Sequence, residues 1–250
     1  MEQLYNIKEK ESQPKLLFKV ILMRHQEPFY KDEGHDLTEK GVAGSIVAGK
    51  NLKKDEFFSK DKPIILFHSP KPRAKGTLSF VAEGAEIPTE DKREFKILRD
   101  SDIKNRDAVL TRIQEINTDP EKIAEDHYKN ELFLNRPEII EPQENKRKRL
   151  YRAMEYLIRV LTKGAVKPKE DIPQILAVSH FEVITHLIND VFGIEKVGQY
   201  NSPSFGEQVK ISAYQITDKD KILLNIGFRD LEKRVVFNRK TRSIEQISTI

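Results

Sequence analysis

Three short apolar runs most constrain how this chain can fold. They are KLLFKVILM at 15–23, KPIILFHSP at 62–70 and PQILAVSHF at 173–181. Each run is too short for a confident helix and is rich in branched and aromatic residues, which favours a buried strand. A helical pattern follows each of them, over 37–54, 71–84 and 182–193. A strand followed by a helix three times over predicts an α/β sheet with helices on both faces.

The remaining segments are predicted from weaker signals. Thr38 is a suitable N-cap for the first helix, and Gly84 is the expected end of the second. A short strand is expected at 94–100, EFKILRD, and an amphipathic helix at 149–164, RLYRAMEYLIRVLTKG. Near the C-terminus, QVKISAYQIT, KILLNIGF and KRVVFN predict edge strands or a hairpin.

Composition limits the class of protein. The chain has 250 residues, of which 38% are hydrophobic and 34% charged, with no cysteine and a net charge of +4. This length predicts a single domain, 1–250, and the absence of any apolar run of about 20 residues argues against a membrane span. The first ten residues read as a polar lead-in, and together with the lack of cysteine they favour a cytoplasmic protein. The mild charge does not indicate nucleic-acid binding.

Basic residues lie where the three predicted strands end. Arg24 and His25 follow the first strand, Arg73 comes shortly after the second, and His180 ends the third. Ligand sites of open α/β sheets lie outside the carboxyl ends of the strands, so these four side chains are expected in one crevice. Two guanidinium groups and two imidazoles would repel each other unless an anion lay between them. Phosphate suits best, because guanidinium groups bind its oxygens bidentately.

The segments LMRHQE, HSPKPRAKGT and AVSHFEVI resemble, in order and spacing, the three signature segments of the histidine phosphatase superfamily, also called phosphoglycerate mutase-like. LTEKG at 37–41 is similar to the segment that opens this family's first helix. The resemblance implies a three-layer α/β/α sandwich with a mostly parallel sheet. It also implies that His25 becomes phosphorylated and is then dephosphorylated by water, while Arg24, Arg73 and His180 hold the phosphoryl oxygens.

The family's proton donor has no clear motif in this chain. KILRDSD is similar to its sequence context, so Asp100 is the first candidate for that role and Asp102 the second.

Leu78 follows Thr77 where the family often has alanine, and two further positions, one beside each histidine, depart from the family pattern. Gln26 replaces the small residue after the nucleophile, and Phe181 replaces the glycine after the second histidine. Larger side chains there either narrow the pocket and orient the substrate or signal lost activity.

Three other patterns resemble functional motifs, but we interpret them as structural. GSIVAGKN at 44–51 nearly matches a phosphate-binding loop but has Asn51 at the metal-binding position and no preceding strand, so a structural helix is expected. KRKR at 146–149 predicts a solvated helix face rather than a nucleic-acid contact. His180 and His186 are six residues apart and would lie on different faces of a helix, which argues against a shared metal.

The sequence thus predicts a phosphomonoesterase with a small phosphorylated substrate and neither cofactor nor metal, because the two arginines supply the positive charge. A phosphomutase of the same fold and a non-catalytic phospho-ligand or protein-binding module stay open as alternatives. The polar region 101–148 is where the family tends to insert a substrate-covering cap, and this region predicts a small helical insertion. No nucleic-acid or membrane partner is expected. Substrate identity and oligomeric state are not predicted.

Overall fold

The computed structural model describes residues 14–31, 33–59, 62, 64–115, 136–162, 172–193 and 202–247. Its strands are β1 Lys15–Arg24, β2 Ile64–His68, β3 Arg93–Glu94, β4 Gln174–Ser179, β5 Gln208–Gln215, β6 Lys221–Phe228, β7 Leu231–Asn238 and β8 Ser243–Gln246. Its helices are α1 Glu39–Lys54, α2 Pro72–Ala85, α3 Arg106–Glu115, α4 Gln143–Thr162 and α5 Phe181–Phe192. The polar lead-in at 1–10 and part of the predicted cap, 116–135, lie outside the described residues.

All eight strands form one sheet in the order β3-β2-β4-β1-β5-β6-β7-β8. The first four strands in this order are parallel, as the three strand–helix units predict. From β1 onward every pairing is antiparallel. The expectation of a mostly parallel sheet therefore holds for one half only. The C-terminal segments are joined by short turns rather than crossover helices, and such turns connect antiparallel neighbours. They build a four-stranded meander whose last, polar strand β8 was not predicted.

Helices cover both faces of the sheet, which confirms the three-layer α/β/α fold. On one face, Ile21 and Leu176 of the sheet pack against Leu78 and Val81 of α2. On the other face, the sheet packs against Leu150 and Ile158 of α4 and Leu187 of α5, which belong to a second buried cluster. No helix in the described part of the chain is both long and apolar enough to cross a membrane.

Glycines bring α1 and α2 into close contact. A Cβ atom on Gly49 would lie 2.1 Å from the Val81 carbonyl oxygen, and one on Gly84 would lie 2.3 Å from the Ile46 oxygen. The near match to a phosphate-binding loop is thus part of a structural helix, as predicted. Thr38 caps that helix by accepting a hydrogen bond from the Gly41 amide at 2.9 Å. The second helix runs one residue past Gly84, to Ala85.

Two segments differ from the sequence prediction. The strand expected at 94–100 is reduced to the two residues of β3, followed by a 3₁₀ turn at Lys96–Leu98. The carbonyls of Ile97 and Arg99 bond to the Arg149 side chain and have no strand partner. Helix α4 begins at Gln143, six residues earlier than predicted, so the KRKR segment lies within its first two turns.

The register of the sheet aligns the strand ends that carry the basic residues. Arg24 of β1 lies opposite Ser179 of β4, and His68 of β2 lies opposite Val178. The His25 amide donates to the Ser179 carbonyl at 2.9 Å. The ladder therefore continues one residue past β1 and fixes the backbone of His25 directly beside the end of β4.

Candidate active site

His25 and His180 lie together at the carboxyl ends of β1 and β4. Both residues are buried, and their ring centroids are 5.0 Å apart with planes inclined by 63°. His180 is also the N-cap residue of α5, so its ring stands between a strand end and a helix N-terminus. The close approach of these two rings was predicted from the strand ends alone.

The tautomer of His25 follows from one hydrogen bond. Its Nδ1 lies 2.8 Å from the Gln26 carbonyl oxygen, which can only accept, so Nδ1 carries the hydrogen. Nε2 is then left with its lone pair. An imidazole held in this way presents a nucleophilic nitrogen in a fixed orientation.

His180 is oriented by Ser69, the serine that follows β2. The Ser69 hydroxyl lies 2.6 Å from His180 Nε2. The Lys71 amide donates to the same hydroxyl oxygen at 3.4 Å. The two contacts fix the orientation of the His180 ring relative to the end of β2.

Both imidazoles are neutral around pH 7. Burial lowers the pKa of His25 well below its ordinary value, and Arg24 and Arg73 lower it further. Burial also lowers the pKa of His180, followed by the effects of His25, Arg73, Lys71 and Arg24. The charges of Arg24 and Arg73 thus act on both imidazoles, and that of Lys71 acts on His180.

Arg24 is held mainly by aromatic rings. Its guanidinium carbon lies 4.1 Å from the Phe205 ring centroid and 4.9 Å from that of Phe181. Its Nη1 donates to the Pro203 carbonyl at 2.7 Å. Its Nε is buried and has no hydrogen-bond partner among the described residues. Phe181, one of the departures from the family pattern, thus packs against a predicted phosphate-binding cation.

Arg73 is held by carboxylates. It is the second residue of α2, and its Nη2 donates to Asp100 Oδ2 at 2.7 Å. Its Nη1 lies 3.8 Å from Oδ2 of Asp36, whose side chain is fully buried. That Asp36 oxygen has no hydrogen-bond partner among the described residues. The guanidinium therefore neutralises two carboxylates at the edge of the site.

The Asp100 segment is fixed by an arginine of α4. Arg149 Nη2 donates to the Asp100 carbonyl at 3.2 Å, in addition to its bonds with the two preceding carbonyls noted above. It also forms an ion pair with Glu141 at 2.8 Å. Asp100 is thus held beside Arg73. Asp102 lies farther out, with 52% of its side chain exposed and its carboxylate 3.9 Å from Arg99.

Gln26 occupies space that two glycines leave open. A Cβ atom on Gly206 would lie 2.1 Å from Gln26 Nε2, and one on Gly44 would lie 3.0 Å from its Oε1. The Gln26 amide donates to the Thr77 hydroxyl at 2.9 Å. The larger side chain is therefore accommodated by packing beside the site, and the backbone of His25 and Gln26 stays tied to α2.

Sequence reasoning missed several groups at or near the site. Asp36 and Phe205 gave no signal, because neither lies in a strand-end motif. Lys146 was predicted to be solvated with the rest of KRKR but is fully buried, and its Nζ donates to Ser101 Oγ at 3.0 Å. Burial lowers the pKa of Lys146 to about 8. Its spacing of three from Arg149 places both on the inner face of α4, which the amphipathic pattern could have indicated.

No metal-binding group of three or more histidine, aspartate or glutamate side chains occurs within the described residues.

No protein-family model and no curated protein matches the chain. The chain does match solved structures in fold. A structure described as mycobacterial hydrolase 1 has 15% identity and a TM-score of 0.58, covering 86% of this chain and 99% of that one.

A native structure of a mycobacterial glucosyl-3-phosphoglycerate phosphatase has 12% identity and a TM-score of 0.55, covering 84% of this chain and 97% of that one. Mycobacterial hydrolase 2 has 15% identity and a TM-score of 0.55 and covers 94% of each chain. The chain has the phosphoglycerate mutase-like fold. This confirms the fold that the resemblance to histidine phosphatases implied. The register of the sheet brings His25 and His180 side by side at neighbouring strand ends.

Proposed function

We propose that this chain is a phosphomonoesterase that works through a phosphohistidine on His25. The observation that carries the proposal is the bond from His25 Nδ1 to the Gln26 carbonyl, since it leaves Nε2 unprotonated. The charges of Arg24 and Arg73 add to the effect of burial in lowering the pKa of His25, which keeps this nitrogen nucleophilic even in mildly acidic solution. The ring centroid of His180, a second neutral imidazole, lies 5.0 Å from that of His25, and His180 is proposed to donate to a phosphoryl oxygen.

The chemistry proceeds in two displacements. His25 Nε2 attacks the phosphorus, the N–P bond forms, and the bond from phosphorus to the ester oxygen breaks. The leaving oxygen takes a proton and departs as an alcohol. Water then attacks the same phosphorus, the N–P bond breaks, and inorganic phosphate is released. Arg24, Arg73 and His180 stabilise the charge on the phosphoryl oxygens in both steps.

Asp100 is the proposed proton donor of the first step. In the free protein it accepts a bond from Arg73 and lies 4.0 Å from Lys71 Nζ, and such partners favour the ionised carboxylate. When the phosphoryl group binds, it competes for the same cations. Asp100 can then take up the proton that it passes to the leaving group.

The comparisons support the phosphatase class rather than a substrate. One solved structure with this fold is described as a glucosyl-3-phosphoglycerate phosphatase. We further propose that residues 101–148 contribute a cap. In their described part, Val109 of α3 packs with Ile139 and Ile140 in a small cluster separate from the two faces of the sheet. The last six residues of that range already belong to α4.

The test is turnover of a panel of phosphomonoesters by the wild type and by His25→Ala. The variant should lose all turnover and should no longer take up an acid-labile, base-stable phosphoryl label. His35→Asn is the matched control, because His35 is an exposed histidine of the following loop. Near-wild-type activity in His25→Ala would rule the mechanism out. Phosphoryl exchange between two monophosphates would favour a mutase, and binding without turnover would favour a binding module.

A further inference from the structure

An exposed tyrosine stands over one of the cations of the site. The Arg73 guanidinium carbon lies 5.5 Å from the centroid of the Tyr30 ring. Yet 61% of the surface of Tyr30 is exposed, and so is 55% of the neighbouring Phe29. A tyrosine that served only to cover Arg73 would bury most of its ring. Here one side of the ring meets the cation, and much of the remainder is open to a ligand.

The backbone at Tyr30 is strained and firmly held. Its φ is 60°, a left-handed conformation that bulky residues rarely adopt. Hydrogen bonds on both sides hold it: the Phe29 amide donates to the Asp36 carbonyl at 3.3 Å, and the Lys31 amide donates to Asp36 Oδ1 at 2.7 Å. Strain that the surrounding structure enforces is typical of functional positions.

Asp36 connects this loop to the phosphate-binding cation. The same carboxylate that holds the Lys31 amide has its other oxygen 3.8 Å from Arg73 Nη1. Asp36 itself has a left-handed backbone, with φ 50°. Both residues of the loop with this conformation therefore contribute to holding Tyr30 beside Arg73. The ring of Tyr30 is thereby kept at a set position relative to the group expected to bind phosphate.

The ring of Tyr30 lies among the charges of the site. Burial raises the pKa of its hydroxyl, Arg24 and Arg73 act against that rise, and Glu182 and Asp36 add to it. With 61% of the residue exposed and the ring centroid 5.5 Å from the Arg73 guanidinium carbon, Tyr30 offers a planar apolar surface beside a cation proposed to bind phosphate.

Resting on the proposed phosphatase function, we propose that the substrates are aryl phosphomonoesters, whose aromatic leaving group stacks on Tyr30. A phenyl ester carries its ring one oxygen away from phosphorus, which matches a ring platform beside a phosphate-binding arginine.

Phosphonates test ring recognition without any turnover. We would measure the dissociation constants of benzylphosphonate, whose methylene replaces the ester oxygen, and of cyclohexylmethylphosphonate by calorimetry on the wild type, Tyr30→Ala and Tyr30→Phe. Stacking predicts that the wild type binds the phenyl compound about 3- to 10-fold more tightly. Tyr30→Ala should remove this difference, and Tyr30→Phe should keep it. Tyr156→Ala is the matched control, because Tyr156 is a partly exposed tyrosine on α4.

The outcomes separate this inference from the proposed function. Equal binding of the two compounds by the wild type would overturn the aryl class, and saturated rings such as those of sugar phosphates would then fit as well. An equal loss of both compounds in Tyr30→Ala would overturn it too, because Tyr30 would then act only by positioning Arg73. A ring preference in a protein that turns over no monoester would reject the phosphatase and leave the ring site standing.

Discussion

The two arginines of the site flank the same imidazoles but are held by different means. Arg24 contacts two aromatic rings and donates to one carbonyl, and within the described residues no carboxylate forms a hydrogen bond or ion pair with it. Arg73 lies between Asp36 and Asp100. A cation stacked on rings keeps its charge available for a ligand, whereas a cation between carboxylates already has part of its charge neutralised. We expect Arg24 to contribute chiefly to phosphate binding and Arg73 to both binding and stability.

Replacing Arg73 should produce the largest combined effect. Arg73→Met is expected to lower kcat/KM by about 10²- to 10³-fold, because a group that stabilises the phosphoryl oxygens is lost. It should also lower the free energy of unfolding by about 3–5 kcal/mol, since two carboxylates lose their buried partner. Urea denaturation and steady-state kinetics measure the two losses. Adding Asp36→Asn should restore part of the stability and none of the activity.

Replacing Arg24 should affect activity alone. Arg24→Met is expected to lower kcat/KM by a similar factor of about 10²–10³. The unfolding free energy should not fall, because a methionine packs well between two phenylalanines and no buried charge is left unpaired. Arg24→Lys should rescue little, since an ammonium cannot stack as a planar guanidinium does. A destabilised Arg24→Met protein would show that the two arginines are held alike.

The smallest expected effects are on the histidine pKa values. Arg24 lowers the pKa of His25 more than Arg73 does, and the order is reversed for His180. Arg24→Met should therefore raise the pKa of His25 more than Arg73→Met does, whereas Arg73→Met should have the larger effect on the pKa of His180. Both values should stay below the ordinary range, because burial is the leading cause. Titration of the ring resonances by NMR measures all four shifts.

The free energy of unfolding should depend on pH, because burial lowers the pKa values of the histidines in the folded chain. Burial lowers the pKa of His186 to about 3 and lowers those of His25 and His180 as well. Below about pH 6.5 the unfolded chain takes up protons that the folded chain does not, so the unfolding free energy should fall as the pH falls. Each histidine contributes about 1.4 kcal/mol per pH unit in that window. A stability that stayed flat from pH 7 to 5 would contradict the neutral, buried state of these rings.

Sequence alone predicted the parts of the fold that depend on local pattern. Apolar runs and capping residues predicted the parallel strands and the helices α1, α2 and α5. The positions of the strand ends predicted the four basic residues of the site. Other features depend on contacts distant in sequence. The strand expected at 94–100 does not form, because the Ile97 and Arg99 carbonyls accept hydrogen bonds from Arg149, some 50 residues later in the chain. The burial of Lys146 likewise depends on how α4 packs.

The residues that hold the two arginines could not be predicted from sequence patterns either. Phe205 and Pro203 come from a loop before β5, and Asp36 comes from the loop after β1, so only the folded chain shows that they meet the site. Asp100 was placed by family resemblance rather than by residue chemistry. Its role as proton donor stays a prediction.

The packing of Gln26 has a consequence for how this chain can change during evolution. Gly206 has a φ of +75°, and a Cβ atom there would lie 2.1 Å from the Gln26 amide nitrogen. While Gln26 is present, a side chain at position 206 meets both a collision and an unfavourable backbone. Shortening Gln26 removes only the collision. Because the colliding atom is the end of a flexible side chain, a lineage can enlarge position 206 once Gln26 has been shortened or has turned aside, and the unfavourable backbone is the penalty that remains.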